Sequence, residues 1–137
     1  MHISTKTEYA VRSLAEIARS QSSGPVSIVE ICTRQKLPRK YVEQLFRKLR
    51  NADIISSVHG AKGGYLLIKE AKELSLNEIM TAVEENIIQT NCDPEMHNKE
   101  YCIGMPCGFH KTWNEIEVHL DGYFSSITLQ NIIEKLN

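Results

Sequence analysis

The spacing of hydrophobic residues in the first part of the chain predicts three helices. Apolar residues recur at steps of three and four over residues 4–20, which is typical of a helix with one buried face. A second helix opens at Ser27, where the hydroxyl and Glu30 can form a capping box. Pro38 suits the first position of a third helix, because that position has no need of an amide hydrogen.

The third helix separates polar from apolar side chains, and two β-rich runs follow it. Leucine and aromatic residues line one face, while the opposite face is polar and mostly basic. Residues 54–58 and 65–68 favour strands, and the glycine-rich segment 59–64 between them predicts a hairpin. The order helix, helix, turn, helix and hairpin predicts a mainly α fold of the winged helix-turn-helix class.

The second part of the chain predicts two further helical regions around a long irregular segment. Ser75 and Glu78 form another capping box before a short helix. Residues 86–109 show no sustained periodicity and contain two prolines, and a loop of that length is uncommon unless it has a function. Helical spacing returns over residues 110–125, and Thr128 can cap a last short helix.

Charge divides the chain into two unlike parts. The 137 residues carry a formal net charge of only −1, yet residues 1–72 hold 13 Lys and Arg against 6 Asp and Glu, a net +7. Residues 73–137 hold 3 against 11, a net −8. We therefore expect two functional units that divide at residue 72, of which the first contacts a polyanion.

Several classes of protein are disfavoured by the same sequence. No run approaches the ~18 uninterrupted apolar residues of a membrane span, and the first residues lack the apolar core of a signal peptide. We expect a cytoplasmic protein without a membrane or a small-molecule substrate. We do not expect an enzyme, since no nucleophile–base set or cofactor fingerprint is present, and the glycine-rich hairpin lacks the phosphate-loop pattern.

Double-stranded DNA is the polyanion that the first unit favours. A basic recognition helix fits the major groove, and a glycine-bearing loop with cations reaches an adjacent groove or the phosphates. The alternative is a small α/β module whose charges are simply solvated. The candidate DNA-contacting residues are Arg39, Lys40, Tyr41, Glu43, Gln44, Arg47, Lys48, His59 and Lys62.

Three cysteines and a histidine cluster in the irregular segment. Cys92, Cys102, Cys107 and His110 lie within 19 residues, in a spacing unlike that of zinc fingers or bacterial ferredoxins. Three thiolates and an imidazole could bind zinc or an iron–sulfur cluster; a redox disulfide or a chance cluster are the alternatives.

Four segments, in order, resemble the IscR-type iron–sulfur cluster regulators of the Rrf-two (Rrf2) family of bacterial transcription factors. They are residues 3–12 in the first helix, residues 40–50 in the recognition helix, residues 58–65 in the wing, and the three cysteines followed by His110-Lys111-Thr112-Trp113. His59 departs from the arginine usual at that place in the wing. The nine-residue gap after Cys92 is also longer than usual for the family.

The resemblance implies a homodimer, built on the helix over residues 110–125, that binds a pseudo-palindromic operator as a repressor of iron–sulfur cluster assembly genes. It implies a [2Fe-2S] cluster, or alternatively [4Fe-4S], on Cys92, Cys102, Cys107 and His110 in the loop over about residues 86–110. In relatives that sense nitric oxide or redox state, an acidic residue of the first helix ligates the cluster, so Glu8 is the alternative fourth ligand. A zinc-bearing or cluster-free DNA-binding protein is the remaining alternative.

Overall fold

The computed structural model describes residues 2–87 and 107–136, and these form six α-helices and one two-stranded antiparallel sheet. The elements are α1 (Thr5–Ser20), a 3-10 turn (Gln21–Ser23), α2 (Ile28–Gln35), α3 (Arg39–Asn51), β1 (Ile55–Val58), β2 (Gly64–Leu67), α4 (Leu76–Ala82), α5 (Gly108–Ser126) and α6 (Leu129–Leu136). The mainly α fold with a small hairpin is confirmed.

The helix starts follow from local capping chemistry, with two differences from the prediction. Both capping boxes form: the Ser27 hydroxyl accepts from the amide of Glu30 at 3.2 Å, and the pair at the start of α4 does the same. Pro38, however, is the N-cap of α3 rather than its first helical residue. Its ψ of 117° is extended, and its carbonyl accepts the first intrahelical hydrogen bond. The helix α5 begins at Gly108, two residues earlier than predicted.

One hydrophobic core joins the basic and the acidic parts of the chain. Leu14 of α1 is fully buried and Phe46 of α3 is 2% exposed, and both belong to the same cluster as Leu74, Ile79 and Leu129. The backbone connects these elements as well, since the amide of Leu129 donates to the carbonyl of Leu74 at 2.8 Å. The helices α4 and α6 therefore pack on α1, and α4 also packs on α3, so their positions are linked.

The helix α5 differs from the others because most of its surface is exposed. Among its 19 residues only Phe124 is buried. It packs on α4 near that residue and projects its first turns away from the core. No helix in the two described ranges is long and apolar enough to cross a membrane.

Candidate nucleic-acid interface and metal ligands

The turn between α2 and α3 is held in place by α1. The guanidinium of Arg12 donates to the side chain and the backbone carbonyl of Gln35, and the amide of Gln35 donates to Glu16 at 2.6 Å. The next residue, Lys36, ends α2 in the left-handed conformation, with φ at 55°. These contacts fix the angle at which α3 leaves the turn, so α1 positions the recognition helix.

The face of α3 that points away from the core is basic and accessible. Arg39, Lys40, Gln44 and Arg47 are exposed, whereas Glu43 is half-buried. The Nε atom of Arg39 donates to the carboxylate of Glu43 at 3.0 Å, four residues along the helix. The carboxylate of Glu43 is thereby aligned on the helix surface, where it can accept a hydrogen bond from a cytosine amino group.

Two other candidate residues of α3 have partners within the protein. Tyr41 is half-buried, and its ring meets the ring of Tyr9 edge to face, with centroids 5.7 Å apart. The Nζ atom of Lys48 lies 2.8 Å from the carboxylate of Glu84, just beyond α4. The side chains of Tyr41 and Lys48 are thus engaged with α1 and with the end of α4.

The hairpin forms a short wing beside α3. His59 and Lys62 are exposed in its loop, where the amide of Gly63 donates to the carbonyl of Gly60 at 3.0 Å. Near the loop end of the strands, where Tyr65 pairs with Ser57, the ring of Tyr65 packs on that of Phe46 with centroids 4.7 Å apart. This aromatic contact packs the hairpin against the buried face of α3.

A close backbone approach at Gly64 anchors the wing to the segment before α2. The chain pairs here with Val26, whose carbonyl accepts from the amide of Tyr65 at 2.8 Å. A Cβ atom at Gly64 would lie 2.4 Å from the backbone of Val26. Only glycine fits this position without moving β2 or the segment that contains Val26.

Two of the four predicted metal ligands lie in the described residues. Cys107 is the N-cap of α5 and His110 lies in its first turn, and both are half-buried. Cys92 and Cys102 lie outside the described residues. Within residues 2–87 and 107–136, no group of three or more histidine, cysteine or acidic side chains could hold a metal ion.

Two further side chains, those of Glu8 and of the fourth cysteine, Cys32, lie on α1 and α2. Glu8 is exposed on α1, and its carboxylate lies 3.7 Å from the guanidinium of Arg12. Cys32 is buried on α2 in the core, and this burial raises the pKa of its thiol. Cys32 is therefore a packing residue, as its place on the apolar face of α2 predicts.

Sequence reasoning missed a set of acidic residues that connect α4 to the DNA-binding elements. Glu78 pairs with Lys69 after β2, Glu84 pairs with Lys48, and Glu85 bonds to Ser4 and Thr7 at the start of α1. The contacts of Glu84 and Glu85 span 36 and 78 to 81 residues, and the pair of Glu78 with Lys69 spans 9 residues across a turn, so helical or strand periodicity predicts none of them. The only signal is the opposite net charge of the two parts of the chain.

A basic recognition helix set by a helix-turn-helix and flanked by a cationic hairpin defines the winged-helix class of DNA-binding proteins. The profile of the Rrf2 family, described as an iron-dependent transcriptional regulator, matches residues 3–135. The chain belongs to the Rrf2 family. It is a DNA-binding transcriptional regulator and not an enzyme.

Individual relatives agree with this assignment over nearly the full chain. The HTH-type transcriptional regulator IscR of Serratia proteamaculans is 35% identical over 134 residues, which cover 97% of this chain and 79% of that protein. The structure of T. potens IscR superposes with a TM-score of 0.76 at 28% identity, covering 100% of this chain and 89% of that one. CymR, the global cysteine regulator of B. subtilis, gives a TM-score of 0.76 at 27% identity, covering 98% of each chain.

Proposed function

We propose that this regulator senses an iron–sulfur cluster and represses cluster assembly genes in the cytoplasm. The observation that carries the proposal is the set of three cysteines and His110 in a chain that is 35% identical to an IscR over 134 residues. The description of the Rrf2 family as iron-dependent supports the same signal.

The cluster in this proposal is [2Fe-2S], held by Cys92, Cys102, Cys107 and His110. Cys107, the N-cap of α5, and His110, in its first turn, are three residues apart, a separation that suits two ligands of one group. Glu8 is the alternative fourth ligand, since it is exposed on α1 and accessible to a partner subunit. That ligand set would favour a sensor of nitric oxide or redox state.

The DNA surface in this proposal consists of the exposed face of α3 and the tip of the wing. Arg39, Lys40, Glu43, Gln44 and Arg47 read bases in the major groove, where arginine pairs with guanine and glutamate accepts from cytosine. His59 and Lys62 contact phosphate or the minor groove. The division of the chain at residue 72 corresponds to this separation of DNA binding from sensing.

We infer that the regulator is a homodimer that joins through α5 on a pseudo-palindromic operator. An apolar stripe runs along this helix, and its members lie exposed at helical spacing: Phe109, Trp113, Ile116 and Tyr123. An exposed stripe of this kind marks an interaction surface, and a two-fold dimer buries it against itself. Two recognition helices then address two half-sites.

A cluster that forms between the start of α5 and the preceding loop would couple sensing to DNA binding. The loop enters from α4, which packs on α1 and α3, and leaves into the proposed dimer helix. A difference of about 1.4 kcal/mol between the two states changes operator affinity tenfold. Cluster binding that favours one state by this amount therefore alters operator occupancy.

Anaerobic purification followed by a visible spectrum and assays of iron and sulfide tests the cofactor. Two irons and two sulfides per chain are expected for [2Fe-2S], four of each indicate the [4Fe-4S] alternative, and colourless protein with one zinc per chain would overturn the cluster. The second candidate is a zinc-bearing or cluster-free DNA-binding regulator, which the likeness to CymR, named for the regulation of cysteine, also allows. Cys92→Ala separates the two, because operator binding that stays unchanged supports the second candidate.

A further inference from the structure

Two lysines of the basic part of the chain are paired with the two ends of α4. The Nζ atom of Lys48, on α3, is 2.8 Å from the carboxylate of Glu84, which lies just beyond the last turn of α4. Lys69, which follows β2, donates to the carboxylate of Glu78 in the first turn of α4. One ion pair therefore connects α4 to the recognition helix, and the other connects it to the wing.

Both carboxylates project from backbone that is held in place. Glu84 adopts the left-handed conformation with φ at 59°, and its carbonyl accepts from Lys6 at 2.9 Å. Glu78 closes the capping box of α4, where its carboxylate accepts from the amide of Ser75 at 2.8 Å. The backbone of both acidic residues is thus held by contacts that do not involve Lys48 or Lys69.

The charged form of each acid is favoured by its lysine. The hydrogen bond from Lys48 lowers the pKa of the Glu84 carboxyl, and the hydrogen bond from Lys69 lowers the pKa of the Glu78 carboxyl. Exposed pairs of this kind add little to stability, because water and salt screen them. Their effect lies in orientation: the Lys48–Glu84 pair joins α3 to the end of α4 across 36 residues, and the Lys69–Glu78 pair joins the end of the hairpin to the start of α4.

Lys48 and Lys69 also differ from the exposed cations of the DNA surface. Arg47 and Lys62 have exposed side chains and no salt bridge within the described residues, whereas the ammonium groups of Lys48 and Lys69 already contact a carboxylate. A DNA phosphate would have to displace that carboxylate to bind either lysine. Counting all cations of the first 72 residues therefore overstates the charge that faces DNA.

We propose that α4 is a second positioning element of the DNA-binding surface, beside α1: Glu84 holds the recognition helix through Lys48, Glu78 holds the open end of the wing through Lys69, and neither lysine contacts phosphate. This proposal rests on the proposed DNA surface of α3 and the wing. It makes Glu84, which contacts no base, a residue on which operator affinity depends.

The test is the salt dependence of binding to the tightest duplex selected from a randomised library, measured by fluorescence anisotropy. Lys48→Gln and Glu84→Gln remove the same pair, so each is expected to weaken binding about two- to fivefold. The double variant is expected to be no weaker than either single variant, because the two residues act as one unit. The slope of log K against log salt should stay unchanged in all three.

A phosphate contact by Lys48 gives the opposite pattern and would overturn the proposal. In that case Lys48→Gln lowers the slope by about 0.9, and Glu84→Gln strengthens binding because it releases Lys48 for DNA. Lys48→Arg, which keeps the pair, should bind as the unmodified protein does. Glu134→Gln makes the same change in net charge as Glu84→Gln, at an exposed position of α6. It is expected to leave the operator affinity within twofold of that of the unmodified protein, which corresponds to ~0.4 kcal/mol at most.

Arg47→Gln distinguishes failure of this proposal from failure of the DNA surface itself. A lower slope in Arg47→Gln together with an unchanged slope in Lys48→Gln supports both. An unchanged slope in both variants overturns the DNA surface and the positioning role together. Lys69→Gln provides the parallel measurement on the wing and should weaken binding without a change in slope.

Discussion

The carboxylate of Glu85 accepts hydrogen bonds from both the backbone amide and the hydroxyl of Ser4, at 2.9 and 2.6 Å. Ser4 is the N-cap of α1, and its own side chain does not cap the helix. A third hydrogen bond, from the hydroxyl of Thr7 at 2.7 Å, completes the contact. Glu85 therefore places a negative charge at the positive end of the α1 dipole, from a position 81 residues away in the sequence.

This contact makes the stability of the protein depend on acid. Burial alone would raise the pKa of the Glu85 carboxyl, but the hydrogen bonds from Ser4 and Thr7 outweigh it and lower this pKa below its ordinary value. Because the pKa is lower in the folded state, Glu85 contributes its full stabilisation at pH values above the pKa of the unfolded chain, about 4.3. This stabilisation is lost as the pH falls through the pKa of the folded state.

Glu85→Gln is expected to reduce the free energy of unfolding by about 1 kcal/mol at pH 7, because the hydrogen bonds lose their charge. The difference between variant and unmodified protein should shrink as the pH falls below the ordinary glutamate pKa of about 4.3. Denaturant unfolding at pH values on both sides of this pKa measures it, with Glu134→Gln on exposed α6 as control. A difference that stays constant with pH would contradict this account of Glu85.

Gly64→Ala is expected to disrupt the loop end of the wing, where Gly64 pairs with Val58. The new Cβ would lie 2.4 Å from the backbone of Val26, so the pairing of Val26 with Tyr65 must open. We expect a loss of about 1–3 kcal/mol of unfolding free energy and weaker operator binding. Gly108→Ala is the matched control, since a Cβ there meets no atom within 4 Å among the described residues. Equal stability of the two variants would refute the close approach.

Glu43→Gln is expected to relax sequence discrimination without abolishing binding. Glu43 accepts from Arg39 on the exposed face of α3, and an acceptor there selects cytosine through its amino group. Loss of this selection should reduce discrimination by about 1–3 kcal/mol at one position of each half-site. Selection of duplexes from a randomised library by both proteins measures it. Identical base preferences at every position would exclude Glu43 from base recognition.

Ile116→Asp is expected to convert the proposed dimer to a monomer. Ile116 lies mid-way along the apolar stripe of α5 with 42% of its surface exposed, and a buried aspartate without a partner is costly. Sedimentation equilibrium should show a dimer for the unmodified protein and a monomer for the variant. Val118→Asp serves as control because Val118, two residues further along, lies on the opposite side of α5 and outside the stripe. A variant that stays dimeric at micromolar concentration would exclude the stripe as the interface.

Periodicity and capping were sufficient to predict the elements that carry the DNA surface. The capping boxes at Ser27 and Ser75 mark the starts of α2 and α4 as predicted, because both hydrogen bonds are made within four residues. The exposed face of α3 follows from helical spacing in the same way. Long-range contacts could not be predicted, since nothing near Lys48 indicates that Glu84 will lie beside it.

The start of α5 is a second feature that the sequence did not predict correctly. Gly108 favours a turn or a helix end by its intrinsic propensity, and the helix nevertheless includes it, with the hydroxyl of Thr112 donating to its carbonyl at 2.7 Å. The roles of Cys107 and His110 at this helix start stay predictions, as do those of Cys92 and Cys102.

The measurement that tests the account most directly is the operator affinity of one anaerobic preparation before and after removal of its cluster. Anisotropy titrations of the selected duplex at fixed salt concentration give both dissociation constants. The account predicts that they differ tenfold or more, which corresponds to about 1.4 kcal/mol of coupling between the sensing segment and DNA. Equal dissociation constants for iron- and sulfide-loaded and cluster-free protein would contradict cluster sensing.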